Sequence, residues 1–372
     1  MNFIIVFFYI ILSIYFILTI CFIVGFLKIP VFNPEIFKPN SSAIKISLII
    51  PFKNEEKNLP LLIDSLKKQS LENDLFEVIL VNDHSHDNSP ETARNLIKDT
   101  ENFRLVCLPD NLKGKKNALI SGIKISANEL IVTSDADCTH PHKWLETIYC
   151  FYLKHNAKMI AAPVIMTGSN LFENLQATEF LSLTGATAGA FGIRHPVMCN
   201  GANLAYEKKV FFDFDDALNS AEESGDDVFL LHKIKKIYPE GIFYLKSADA
   251  AVYTEAEKSL KSFLKQRIRW ASKSNSYTDF DTIFTAVTVL SANFVLVVSF
   301  FAAIYGYLGF GIPLSLFFIK FIPDSILLVL TANDFGEKKL LKFIPLTALI
   351  YPLYIIVTGV TGILKNGRVN VL

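Results

Sequence analysis

The sequence predicts an α/β domain with a mostly parallel sheet, set between transmembrane helices, and three observations carry that prediction. First, the chain of 372 residues is 51% hydrophobic with 32 Phe, and the apolar excess sits at its two ends. Such a share is high for a soluble chain. Second, between about Lys45 and Asn275 short β-branched runs alternate with helix-patterned stretches, the order that builds a parallel sheet. Third, acidic residues follow those strands in series and end in Ser134-Asp135-Ala136-Asp137.

The first element is a membrane span. Residues Phe3 to Leu27 carry no charge and exceed the roughly 20 residues that cross a bilayer. A cleaved signal peptide fits poorly, because no basic residue precedes the run and no small-x-small cleavage site closes it. Lys28, Lys38 and Lys45 follow, so the positive-inside rule puts the N-terminus outside and the central domain in the cytoplasm, at the cell (inner) membrane. Three further apolar blocks, Ile283 to Leu308, Ile312 to Leu330 and Leu341 to Leu364, lie near the C-terminus. Lys338, Lys339 and Lys342 mark the link between the last two as cytoplasmic. If the last block crosses, Lys365 and Arg368 finish outside, against the rule; Pro345 and Pro352 allow a kinked or partly interfacial helix instead, and both readings stay open. The domain organisation is therefore a transmembrane helix at 1–28, a cytoplasmic domain at 45–275 and a membrane region at 280–364.

Within the central domain, Ile46 to Pro51 reads as the first strand and Leu59 to Lys68 as a helix with apolar positions at helical spacing. A strand at Phe76 to Val81 and a helix near Pro90 to Lys98 follow. A strand at Arg104 to Leu108, a helix at Lys115 to Ser126 and a strand at Leu130 to Thr133 complete the pattern. The stretch Gln176 to Arg194, rich in Ala, Gly and Thr, is read as an interfacial element, and Leu260 to Ser274 as a basic amphipathic helix of the same kind.

The polar residues of interest fall directly after strands: Asn54, Glu55 and Glu56 after the first, Asp83 and Asp87 after the second, Asp135 and Asp137 after the fourth. Open α/β sheets bind ligands outside the carboxyl ends of their strands, so three clusters on one edge argue for one site. Asp135 and Asp137 suit Mg²⁺ or Mn²⁺, which takes carboxylate oxygens and completes its shell with substrate phosphates. Glu55 and Asp83 can accept hydrogen bonds from ribose or base, and Lys115 can bring positive charge to a diphosphate. Neither a G-x-G-x-x-G nor a P-loop lysine motif is present, which argues against a dinucleotide site or an NTPase. With 36 Lys and Arg against 36 Asp and Glu, bulk charge gives no reason to expect nucleic acid. The five cysteines show neither zinc spacing nor a paired framework, so reduced thiols are expected.

These residues resemble the family 2 glycosyltransferases of GT-A fold. Ser47-Leu48-Ile49-Ile50-Pro51-Phe52-Lys53-Asn54-Glu55-Glu56 is similar to the family's opening strand and nucleotide loop, and Val81-Asn82-Asp83-His84-Ser85-His86-Asp87 to its second nucleotide-binding stretch. Ser134-Asp135-Ala136-Asp137 matches its D-x-D motif. Cys199-Asn200-Gly201-Ala202-Asn203 resembles its acceptor-side loop, Ser224-Gly225-Asp226-Asp227 its Glu-Asp base position, and Gln266-Arg267-Ile268-Arg269-Trp270 the Q-x-x-R-W signature of membrane-integrated members.

The resemblance implies a Rossmann-like mixed sheet of the GT-A, nucleotide-diphospho-sugar transferase type, and a metal-dependent, inverting transfer from a nucleotide sugar. The donor implied is a UDP-sugar, with GDP as the other option, and the acceptor a lipid-linked or cell-envelope saccharide. Pro51, Asn54, Glu55, Asp83, Lys115 and Asp135 are then nucleotide-sugar contacts, and Asp135 and Asp137 metal ligands. Asp227 or Asp226 is the base, with Asn200, Gly201, Gln266, Arg267, Arg269 and Trp270 on the acceptor and diphosphate side. Two departures bear on this. Asp226 stands where the family usually has Glu, and the short C-terminal membrane region favours a non-processive enzyme over a processive polysaccharide synthase of the cellulose or hyaluronan type. A membrane-anchored nucleotide-sugar binding component without chemistry is the alternative outside the enzymes.

Overall fold

A computed structural model describes residues 2–37, 44–218 and 226–366. Its helices are α1 (Asn2–Lys28), α2 (Leu59–Lys67), α3 (Ser89–Ile97), α4 (Lys115–Ile125), α5 (Trp144–His155), α6 (Leu171–Gly192), α7 (Lys208–Phe212), α8 (Asp226–Ile237), α9 (Leu260–Ser272), α10 (Phe280–Ile304), α11 (Gly311–Asp334) and α12 (Ile344–Asn366). The strands are β1 (Ile46–Phe52), β2 (Phe76–Asn82), β3 (Phe103–Cys107), β4 (Leu130–Thr133), β5 (Cys138–Thr139), β6 (Met159–Ala161), β7 (Val164–Thr167), β8 (Leu204–Glu207), β9 (Ile242–Tyr244) and β10 (Val252–Glu255). They fall into two compact units: a sheet unit, Pro30–Ile165 with Met198–Glu255, and a helical unit, Met1–Ile29 with Met166–Val197 and Ala256–Leu372.

The sheet unit is built on seven strands in the order β3-β2-β1-β4-β8-β6-β9. β1 pairs in parallel with β2, Ile46 opposite Phe76 and Phe52 opposite Asn82, and with β4, Ile46 opposite Leu130. Every residue of β1 and β4 is buried. Central strands covered on both faces are largely apolar, which is why β1 and β4 read as hydrophobic runs, with Ser47 donating its hydroxyl to Glu77 and Thr133 closing β4. α4 closes on this layer through Gly122, where an added Cβ would lie 2.5 Å from the Ile49 side chain. β1, β2, β4 and α2 to α4 lie within about a residue of their expected bounds. Beyond them the sheet turns mixed: β8 runs antiparallel to β4 and β6, and β9 parallel to β6. A small second pairing sets β10 antiparallel to β5, with Thr254 opposite Cys138.

In the helical unit, α1, α10, α11 and the segment Lys338–Leu364 are each long and apolar enough to cross a membrane. α1 and α6 meet backbone to backbone: a Cβ on Gly189 would fall on the Phe22 carbonyl, and one on Gly192 on that of Gly25. Small residues allow such an approach, and it gives the Ala- and Gly-rich α6 its place. A polar tie crosses the apolar helices, with Tyr15 Oη donating to Asp324 Oδ1 (2.8 Å) and Lys320 Nζ to Asp324 Oδ2 (2.5 Å). The expected domain at 45–275 is accordingly interrupted. Residues 166–197 and 256–275 pack with the helices, because α6 buries its glycine face on α1 and α9 buries Phe263 and Arg267 within the same unit.

Candidate active site

The ends of β1 and β2 are stitched together by their own loops. Asn54 takes a left-handed backbone (φ 58°); its N–H donates to Ser85 Oγ (3.0 Å) and its Oδ1 accepts from the His86 N–H (2.8 Å). The Glu55 N–H donates to Ser89 Oγ (2.7 Å). Asp83 is buried at the end of β2, and its Oδ1 accepts from the Gly114 N–H (3.0 Å) ahead of α4. Gly114 has φ 92°, a conformation glycine adopts without strain, so the chain can deliver that N–H and still enter the helix. Lys53 Nζ stands 3.9 Å from the other Asp83 oxygen.

After β4 the chain presents the two clustered carboxylates. Asp135 Oδ1 takes Lys115 Nζ at 2.5 Å. Asp137 opens to solvent on one side and accepts from Thr254 Oγ1 (3.4 Å). Desolvation first, and the charge of Asp135 second, raise its pKa from the ordinary aspartate value. Glu55 is raised as well, by desolvation and then by the charges of Asp137, Asp135 and Asp87 against a hydrogen bond from Asn58. The clusters after β1 and β4 therefore share one field. Among the described residues no three His, Cys, Asp or Glu side chains form a cage for a metal ion. A cation at Asp135 and Asp137 would draw its other ligands from water and substrate phosphates, the usual condition of protein-bound Mg²⁺. Two acidic groups in mutual repulsion fit that role.

The opposite wall is hydrogen-bonded to the first. Thr133 Oγ1 donates to the Gly201 carbonyl (2.7 Å), and the Gly201 N–H donates to Asp227 Oδ2 (2.9 Å). The Val228 N–H holds Asp227 Oδ1 (2.9 Å), and the Asn200 side chain accepts from the Ala202 N–H (3.0 Å). Pro51, Lys115, Ser134, Asp135, Gly201 and Asp227 thus line one open cleft of about 310 Å³. Ser224 and Gly225 lie outside the described residues, and α8 begins at Asp226.

A buried chain of side chains runs behind the cleft. Ser134 Oγ lies 2.7 Å from His140 Nε2, and Ser65 Oγ 3.3 Å from His140 Nδ1. Ser65 Oγ already donates to the Leu62 carbonyl, so Nδ1 carries the proton and Nε2 accepts from Ser134. The His140 ring packs on Trp144 at 4.1 Å, and Trp144 Nε1 donates to Asn203 Oδ1 (3.0 Å). Burial pulls the His140 pKa down to about 3. Sequence reasoning missed Thr133, His140 and Trp144, and gave Asn203 no role beyond its place in the Cys199 to Asn203 segment. Their one signal was adjacency to the D-x-D and Asn200-Gly201 segments.

The Gln266 to Trp270 segment lies on α9, in the helical unit. Arg267 was expected on phosphate, but the structure buries its guanidinium against Glu179 (2.5 and 3.2 Å), over the rings of Phe263 and Trp270. A buried guanidinium needs a fixed carboxylate, and Glu179 supplies it. Gln266 Nε2 donates to Glu257 Oε1 (3.1 Å), Trp270 is half-buried against Phe180, and Arg269 is exposed.

The mixed sheet, with acidic loops at the ends of its parallel strands, is a GT-A-like fold. The mannosyltransferase PcManGT from Pyrobaculum calidifontis, solved in complex with GDP-Man and Mn²⁺, superposes with a TM-score of 0.60 over 96% of each chain, at 16% identity. Residues 47–213 match the glycosyl transferase family 2 model. Undecaprenyl-phosphate 4-deoxy-4-formamido-L-arabinose transferase of Yersinia pestis is 34% identical over 103 residues, 27% of this chain and 32% of that protein. The same transferase of Yersinia pseudotuberculosis matches equally. The chain spans about a third of the length of these curated relatives.

Proposed function

We propose that this protein is a membrane-integrated, metal-dependent, inverting glycosyltransferase that moves a sugar from a nucleotide-diphosphate donor to a lipid-linked acceptor. The observation that carries the reading is the placing of Asp135 and Asp227 on facing walls of one cleft, each wall tied to β4. The relatives named as undecaprenyl-phosphate 4-deoxy-4-formamido-L-arabinose transferases and the apolar helices support a lipid-linked acceptor. The positive-inside pattern supports a cytoplasmic site, where nucleotide sugars are made.

Asp135 and Asp137 would hold Mg²⁺ or Mn²⁺, which supplies Lewis-acid stabilisation of the departing diphosphate. Lys115, next to Asp135, adds a cation on the same side. Asp83, Asn54 and Glu55 shape the nucleoside end of the groove, and Gln266, Arg269 and Trp270 are assigned to the acceptor side. Asp227 takes the proton of the acceptor hydroxyl as its oxygen bonds the anomeric carbon. The bond from that carbon to the diphosphate oxygen breaks on the far face, so the configuration inverts. Two backbone N–H groups fix the orientation of Asp227. General-base help of this kind contributes about 10²–10⁴-fold.

The test is to incubate membranes containing the protein with a panel of radiolabelled nucleotide sugars and Mn²⁺ or Mg²⁺. Label from one donor is expected in the lipid fraction, and Asp137→Ala is expected to abolish it while the protein stays membrane-inserted. Undiminished transfer by that variant would sink the reading. Donor binding without transfer or hydrolysis, across many acceptors, would favour a binding component.

A further inference from the structure

We propose that His84, acting through Asp83, sets which nucleobase the groove accepts: one that carries an imino N–H beside a carbonyl, as uracil and guanine do, in preference to cytosine or adenine. The inference rests on the nucleotide-sugar reading above and names the donor class of that same site.

The starting point is a side chain on an unfavourable backbone. His84 has φ 53°, a left-handed conformation that glycine takes freely and a residue with a Cβ takes at a cost. Such a conformation persists where neighbouring contacts over-determine it, and here backbone amides do so. The Asp83 N–H donates to the Phe52 carbonyl (2.9 Å), the Ser85 N–H to Asn82 Oδ1 (3.1 Å) and the His86 N–H to Asn54 Oδ1 (2.8 Å). The turn after β2 is thereby pinned to the turn after β1. It sets the His84 ring against its own neighbour, with Nδ1 3.3 Å from Asp83 Oδ1. An ionised carboxylate only accepts, so Nδ1 carries the proton. Nε2 is buried, 3.8 Å from Asp110 Oδ1, and among the described residues makes no hydrogen bond, so the ring acts on Asp83 and not on a ligand.

Asp83 is left with one oxygen for a ligand. Its Oδ1 accepts from both His84 and the Gly114 N–H (3.0 Å), which stops the carboxylate from turning. Among the described residues Oδ2 accepts no hydrogen bond, and the exposed Lys53 side chain brings Nζ to 3.9 Å from it. The open face of this corner is therefore an acceptor with a donor beside it. Uracil presents N3–H next to O4, and guanine N1–H next to O6, which complement that pair. Cytosine N3 and adenine N1 would turn a lone pair to the carboxylate, and the neighbouring amino group would face the ammonium. A site built to take a hydrogen bond rejects a ligand that leaves its polar groups unpaired. The sheet sets the distance to the metal end of the groove: in the order β2-β1-β4, two strand spacings, about 10 Å, separate the end of β2 from that of β4. A ribose and one phosphate cover that span.

The experiment titrates the full chain in detergent, with Mn²⁺ present, with UDP, GDP, CDP and ADP in turn. The ratio among bases is the readout, because a loosened fold would weaken all four alike. For the wild type, UDP or GDP is expected to bind at least about tenfold tighter than CDP and ADP. His84→Gly suits the left-handed backbone and removes only the ring; it is expected to bring the four nucleotides to within about threefold of one another. His84→Asn also tolerates that backbone, returns an amide N–H toward Asp83 and is expected to restore most of the discrimination. Lys53→Met is expected to weaken UDP and GDP and to leave CDP and ADP unchanged. A wild type that binds CDP or ADP as tightly as UDP and GDP, an unchanged ratio in His84→Gly, an Asn variant no better than the Gly variant, or an equal loss for all four in Lys53→Met overturns the proposal. Those outcomes leave Mn²⁺-dependent nucleotide binding standing, whereas a wild type that binds none of the four overturns the glycosyltransferase reading as well.

Discussion

The Gly201 and Val228 backbone amides hold the Asp227 carboxylate, so the loop at Gly201 helps set its position. Asp227→Asn should lower kcat by about 10²–10⁴-fold with nucleotide affinity retained, measured by steady-state transfer and by nucleotide titration. Thr133→Val removes the hydroxyl that holds the Gly201 carbonyl and should cost about 1 kcal/mol in stability, with kcat falling more than KM changes. His140 gives a pH signature. Its ordinary value of 6.5 falls to about 3 in the folded chain with no charged neighbour involved, so the unfolded chain binds the extra proton between those values. Stability is therefore full above pH 6.5 and declines toward pH 3, by up to about 1.4 kcal/mol per pH unit. Denaturation midpoints at pH 7 and pH 5 should show that decline, and His140→Asn should flatten it. The carboxylates were legible because the chemistry demands their type. Thr133, His140 and Asn203 were not, because common polar residues gain their roles only from contacts across 68, 75 and 59 positions of sequence.

At the scale of elements, the parallel half of the sheet was readable because β1, β2 and β4 are apolar runs closed by turn residues. The antiparallel half was not. β6 and β9 are only 3 residues long, and β8, as short as β4, reads Leu-Ala-Tyr-Glu and lacks the β-branched run that marks β4. α6 was read from its Ala-, Gly- and Thr-rich, charge-poor composition as an interfacial piece, because composition does not name a packing partner. Gly189 and Gly192 answer to α1, and Gly185 to Thr331 of α11. Gly189→Leu should force the two backbones apart and cost at least about 1–3 kcal/mol, seen as a lower melting temperature in detergent. The Arg267–Glu179 pair was not legible for a related reason: a motif names residues but not the carboxylate waiting for them 88 positions away. Glu179→Gln should destabilise by about 3–5 kcal/mol, and Glu179→Leu/Arg267→Met by much less, in the same melting assay.

For the whole molecule, chelation is the broadest test. EDTA should stop transfer and Mn²⁺ or Mg²⁺ should restore it, read as label entering the lipid fraction. The existence of a sheet domain and of apolar ends could be read from composition, whereas the assignment of 166–197 and 256–275 to the helices could not, because it depends on tertiary packing. The Lys115–Asp135 contact carries a consequence for the order in which ligands arrive. With the cleft empty of donor, the lysine acts as counterion to the carboxylate and competes with a metal for it. A diphosphate that attracts the ammonium removes that competitor, and a metal that takes the carboxylate releases the ammonium for the diphosphate. Each ligand then prepays part of the other's entry. The two should bind synergistically, with Mn²⁺ affinity higher in the presence of UDP or GDP than alone, and Lys115→Met should reduce that coupling.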